Sequence, residues 1–196
     1  KWDRRTLPGR ASLASWLLVI IILFGGLNYY SFAGITTRTN HHDLFTLNGL
    51  SYVEKTTPGE FELIEWVVRN TDKESVILEG SLVQCEANPI GCNDWDPSLG
   101  RIAAATGRPT ILGWEGHERQ WRADHTILED RQDDVREIYA TTDLLKAKTL
   151  ISKYAVDYIV ISDSELNVYG SKGKEKFIEL GSVVFERPNL LMYKLD

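Results

Sequence analysis

From Ala11 to Thr37 the chain carries no charged residue, and its centre, Trp16-Leu-Leu-Val-Ile-Ile-Ile-Leu-Phe24, is apolar on every side. A surface helix keeps a polar face; this run has none. Ala11 to Tyr30 is 20 residues, which at about 1.5 Å of rise each covers roughly 30 Å, the hydrocarbon thickness of a bilayer. Trp16 and Tyr29-Tyr30 suit the two interfacial zones, and Arg4, Arg5 and Arg10 mark the preceding end as cytoplasmic by the positive-inside tendency. The expected division is therefore a cytoplasmic segment at 1–10, a transmembrane helix at 11–33, a linker at 34–56 and an extracytoplasmic α/β domain at 57–196. A cleaved secretory signal is the competing reading, since Ser31-Phe32-Ala33 resembles a small-x-small cleavage site. The run is long for a signal's apolar region, which favours the anchor, and either reading leaves 34–196 outside the cytoplasm. The chain starts at Lys1 close beside the apolar run. We read it as a fragment whose partners are the bilayer and upstream transmembrane helices of the same protein.

Residues 1–33 hold Lys1, Arg4, Arg5 and Arg10 against Asp3, a balance of +3 within a chain of −6, so the remainder stands at −9. So acidic a domain is not a nucleic-acid binder, because phosphates demand a basic surface. At 43% hydrophobic and 26% charged, the composition is that of a globular protein, and 196 residues accommodate one domain plus an appendage.

Thr57-Pro58-Gly59-Glu60 reads as a helix start with threonine at the N-cap, proline at N1 and glutamate closing a capping box. Phe61, Ile64, Val67 and Val68 follow at helical spacing as far as Asn70. Ser75–Glu79 reads as a buried strand, Leu99–Thr106 as a short helix stopped by Gly107, and Pro109–Leu112 as a second strand. Helices follow at Asp130–Tyr139 and after a Thr142 cap, the latter turning Leu144, Leu145, Ala147, Leu150 and Ile151 inward. Tyr158–Ser162 is the clearest strand, followed by a helix at Lys174–Leu180 and a hairpin of Val183–Glu186 with Leu190–Leu195. Alternating helices and strands imply a small three-layer α/β domain with an antiparallel hairpin at one edge.

Cys85 and Cys92 lie in a loop rich in Asn, Pro, Gly and Asp. A loop of this size closes readily as a disulfide in an oxidising compartment; two free thiols are the alternative. His41-His42 reads as polar loop residues. The densest chemistry is Gly113-Trp-Glu-Gly-His-Glu-Arg-Gln-Trp-Arg122. Leaving a strand's C-terminal end, where open α/β sheets bind ligands, it suits a sugar or phosphosugar. Trp114 or Trp121 would stack on a ring, Glu115 and Glu118 take hydroxyls with His117 and Gln120 nearby, and Arg119 or Arg122 grip phosphate. A structural plug, with the tryptophans closing the core, explains the same residues. Glu115, His117 and Glu118 are also a candidate divalent-ion set, although Glu-x-His-Glu lacks the spacing of an established metal motif, and no metal site or cofactor is assigned. Glu79 and Arg101 are placed at the same crevice, either as ligands or as an ion pair fixing the loop.

The run Arg101-Ile-Ala-Ala-Ala-Thr-Gly-Arg-Pro-Thr-Ile-Leu-Gly-Trp-Glu-Gly-His-Glu-Arg-Gln-Trp-Arg122 resembles the signature of the YYY family of polytopic membrane proteins. Thr46-Leu-Asn-Gly-Leu50, Asp134-Val-Arg-Glu-Ile-Tyr139 and Tyr154-Ala-Val-Asp-Tyr-Ile-Val160 agree in order. The membrane portion of that family is similar to the GT-C glycosyltransferases, which use polyprenyl-phosphate sugars and keep the catalytic acid in an early extracytoplasmic loop. The resemblance thus implies a substrate crevice and a polyprenyl-phosphate sugar as partner, and supplies no catalytic residue here. A more distant likeness is to the outer domain of oligosaccharyltransferases. The Trp-Trp-Asp of that domain is absent here, and Glu79-Gly-Ser81 stands in the comparable place. A non-catalytic, membrane-tethered assembly domain is the alternative function.

Overall fold

The computed structural model describes residues 9–38, 46–80, 100–114, 118 and 120–196. Cys85, Cys92, His41, His42, Glu115, His117 and Arg119 lie outside the described residues. The chain divides into two compact units, residues 1–52 and 53–196.

Helix α1 (Arg10–Arg38) dominates the first unit. Its stretch Ser12–Arg38 is long and apolar enough to cross a membrane. It runs past the expected end at residue 33 because its polar side chains turn back onto the helix. Asn28 Nδ2 donates to Phe24 O (2.7 Å), Ser31 Oγ to Leu27 O (3.2 Å) and Thr37 Oγ1 to Ala33 O (2.7 Å). Such bonds satisfy polar groups that water would otherwise have to serve.

The boundary falls within α2 (Ser51–Thr56), and the second unit runs on through α3 (Pro58–Asn70), β1 (Val76–Leu78), α4 (Arg101–Thr106), α5 (Thr126–Ala140) and α6 (Leu144–Lys153) to β2 (Val156–Ser162). It continues with α7 (Asp163–Tyr169), α8 (Lys176–Leu180), β3 (Gly181–Arg187) and β4 (Leu190–Leu195). The four strands stand in the order β1-β2-β4-β3. β1 and β2 are parallel, while β4 runs antiparallel to both β2 and β3. The hairpin therefore occupies one edge, as the sequence implies.

Side chains alternate across a strand, and both faces of β2 are buried. Ile159, Ile161 and Tyr193 join Val135, Ile138 and Tyr139 of α5, Ala147 and Ile151 of α6, and Phe177 in one core cluster. On the opposite face Trp66 of α3 meets Tyr158 edge-on (6.5 Å between centroids) and Phe185 at 6.2 Å. Helices thus cover both faces, giving the three-layer α/β arrangement.

Several local expectations are corrected. Thr57 is the N-cap of α3 and Pro58 opens it, but no side chain caps it; Thr57 Oγ1 donates instead to Val53 O, and Glu60 is drawn away by Arg101. On α3, Leu63, Ile64 and Val67 are buried, while Val68 is exposed. Pro109–Leu112 is no strand: it adds one ladder-like bond, Ile77 N to Pro109 O (2.9 Å), and Pro109 has no N–H to return. Its Ile111 and Leu112 still fill the core. Asp143, not Thr142, caps α6, accepting from Lys146 N at 3.1 Å, and Leu144 and Leu145 are exposed rather than turned inward. Helix α7 is absent from the expectations, yet Ser162-Asp-Ser-Glu165 forms the capping box expected at Thr57.

Candidate functional site

Three elements converge on Arg101, the first residue of α4. Its Nε lies 2.8 Å from Glu60 Oε1 of α3, its Nη2 3.1 Å from Glu165 Oε1 of α7 and its Nη1 3.9 Å from Glu79 Oε2, just past β1. Glu79, Glu165 and Arg101 are buried.

Each carboxylate also serves backbone. Glu79 accepts from Ile102 N (3.1 Å) and Ala103 N (2.8 Å), so it caps α4 from across space, where Gly100 has no side chain to do so. Glu165 accepts from Gly80 N at 3.2 Å, from Ser162 N at 2.9 Å and from the Ser162 hydroxyl. Burial opposes the charge on Arg101, but Glu165, Glu79 and Glu60 together outweigh it and raise its pKa. Burial drives the Glu79 carboxyl above its usual range, a rise that Arg101 and the Ala103 and Ile102 amides only partly offset. The ion pair expected between Glu79 and Arg101 is present. Both direct polar atoms to partners inside the protein, Arg101 to Glu60 and Glu165 and Glu79 to the first amides of α4.

Gly113 and Trp114 sit beside the start of α4. A side chain at Gly100, whose φ is +63°, would meet Gly113 C at 3.6 Å and Trp114 N at 3.7 Å. Glu118 staples the segment: its Oε1 accepts from Gly113 N (3.0 Å) and its Oε2 from Arg122 Nε (3.2 Å), while Glu118 N donates to Trp114 O at 3.0 Å. Trp114 is half-buried, whereas Gln120, Trp121 and Arg122 are exposed, Trp121 at 84%. The candidate residues therefore divide. Glu79, Arg101 and Glu118 build the scaffold, and Trp121, Gln120 and Arg122 are presented by it. Among the described residues no group of three or more His, Cys, Asp or Glu side chains is placed to hold a metal ion.

Sequence reasoning missed Glu60 and Glu165. Glu165 was legible as the fourth residue of Ser162-Asp-Ser-Glu165, a capping-box pattern at the end of the clearest strand. Glu60 had no such signal, because its own capping-box position pointed to a different partner.

No family's sequence profile matches this chain, and no curated protein matches it. Among solved structures, the chain is similar to the C-terminal globular domain of an oligosaccharyltransferase from Archaeoglobus fulgidus, with 8% identity over 72% of this chain and 99% of that one and a TM-score of 0.44. At that identity and score the likeness assigns neither family nor chemistry.

Proposed function

We propose that this chain is the membrane-anchored, extracytoplasmic part of a GT-C-like glycosyltransferase of the YYY type, using polyprenyl-phosphate sugars, whose α/β domain lends binding surface rather than catalytic groups. The observation that carries it is Trp121. A tryptophan 84% exposed, beside the exposed Arg122 whose guanidinium Glu118 holds in place, is a ready stacking surface for a sugar ring. The membrane helix α1 supports the same reading, since a lipid-linked substrate is met at a membrane. The assembly-domain reading draws on Glu79 and Arg101, which are consumed internally; in it Trp121 docks on a neighbouring helix.

Titration of the chain in detergent with a polyprenyl-phosphate sugar, following tryptophan fluorescence, separates the two. Saturable quenching that weakens at least fivefold in Trp121→Ala supports the transferase reading. No response in the wild-type chain, with its circular dichroism intact, overturns it in favour of assembly.

A further inference from the structure

A second concavity, lined by none of the described residues of the 113–122 segment, lies at the C-terminal end of β2. It encloses about 620 Å³, within the roughly 300–1,000 Å³ of small-molecule sites. Ile161 and Leu191 contribute to its floor, and Asp163, Lys174, Glu186 and Asn189 to its polar wall. A smaller notch of about 250 Å³ shares Ser162, Asp163 and the 188–190 turn and extends the cleft towards Glu60 and Ser164. The position is the end of the antiparallel β2–β4 pair, beside the turn that joins β3 to β4.

Charge narrows the ligand. Arg187 also lines the cleft but is claimed by Glu62, and Glu60 in the notch is claimed by Arg101. Asp163 and Glu186 then stand against Lys174 alone, and none of the three has an ion-pair partner among the described residues. Two free carboxylates against one ammonium repel a phosphate. Backbone geometry narrows it again. The floor residues Ile161 and Ser162 pair with Leu191 and Leu190 in the β2–β4 ladder, so this floor offers no open edge for an added peptide strand. What remains is side-chain recognition: two carboxylate acceptors, an ammonium donor and the Asn189 amide, above an apolar floor. That set matches a ligand whose hydroxyls both donate and accept and whose C–H faces are apolar.

We infer that this cleft is a binding site for an uncharged saccharide, built from residues other than those proposed for the lipid-linked donor. The inference deepens the glycosyltransferase reading, while its test stands on residues which that reading does not use. Saturation-transfer difference NMR would be run on the full chain in an amine-oxide detergent, which carries no sugar. The probes are N-acetylglucosamine, mannose and maltose, with glucose 1-phosphate and N-acetyl-trialanine amide beside them.

At least one neutral saccharide is expected to give a signal stronger than that of glucose 1-phosphate. That signal should fall at least fivefold in Asp163→Ala and in Lys174→Ala, exposed positions whose variants are checked for fold by circular dichroism. Absence of signal from all three neutral saccharides overturns the inference even if the lipid-linked donor quenches tryptophan. A stronger signal from glucose 1-phosphate or from the peptide overturns the assigned ligand class. Loss in Trp121→Ala with retention in Asp163→Ala would move the sugar to the 113–122 segment and overturn the site.

Discussion

Lys176 shows how a single side chain can tie an element down at an electrostatic cost. Its Nζ donates to Tyr139 O at 3.0 Å and Gly173 O at 2.7 Å, reaching a carbonyl left over in the last turn of α5. Desolvation pulls its pKa down from 10.5 to about 8, with Glu137 opposing the fall. Between those two values the unfolded chain holds a proton that the folded chain has released, so stability rises with pH across that window. Tyr139, buried and held neutral well above 10, adds nothing below pH 9.5. The urea midpoint should therefore climb from pH 7.5 to pH 9.5 in the wild-type chain and stay level in Lys176→Met. Neither role of Lys176 is legible in the sequence, where it is one more lysine in Lys172-Gly-Lys-Glu-Lys176. The cost arises from the carbonyls that folding brings to it, and Gly173 makes the approach possible: a Cβ there would fall 2.1 Å from Tyr139 O.

Between elements, Arg101 joins α3, α4, β1 and α7 through one guanidinium. Replacing it with methionine strands Glu79 and Glu165 in the interior and frees Glu60, and breaking a buried pair in this way costs about 3–5 kcal/mol. Chemical denaturation of Arg101→Met should show a loss of that order, whereas Arg69→Ala, which breaks an exposed pair with Glu65, should shift stability by less than about 1 kcal/mol. Periodicity made most elements readable: β2 and the hairpin follow from β-branched and apolar runs, and α3 and α5 from helical spacing. It failed where partners come from afar. Pro109–Leu112 has a strand's composition, but Pro109 accepts one bond from Ile77 and has no N–H to donate another. Glu60 and Thr57 have a capping-box pattern, but Arg101 competes for the carboxylate. At the candidate site, the density of ionisable groups around 113–122 was visible, but not that Glu118 is spent on Gly113 N or that Trp121 is the ring left outside.

For the whole molecule, the membrane assignment rests on α1. Each arginine at the centre of a spanning helix costs about 2.5–3.5 kcal/mol to insert. The double variant Ile20→Arg, Ile21→Arg should move the protein from the carbonate-resistant membrane pellet to the supernatant, where the wild-type chain should not appear. Strand order adds a matter of timing. β4 is interior, flanked by β2 and β3, and β1 pairs with β2 through Val76 and Val156. α1 is made before the sheet, which has no centre until residues 190–195 are present, and β1 waits for β2 across the intervening chain. Pairings so distant in sequence form slowly, because loop closure must precede the contacts that reward it. During synthesis the helix is therefore available to the membrane while the domain behind it is still an open chain, with Ile77 and Leu78 uncovered. The domain closes as a late event, and the interval before it does is when the chain is most exposed to chaperones and proteases.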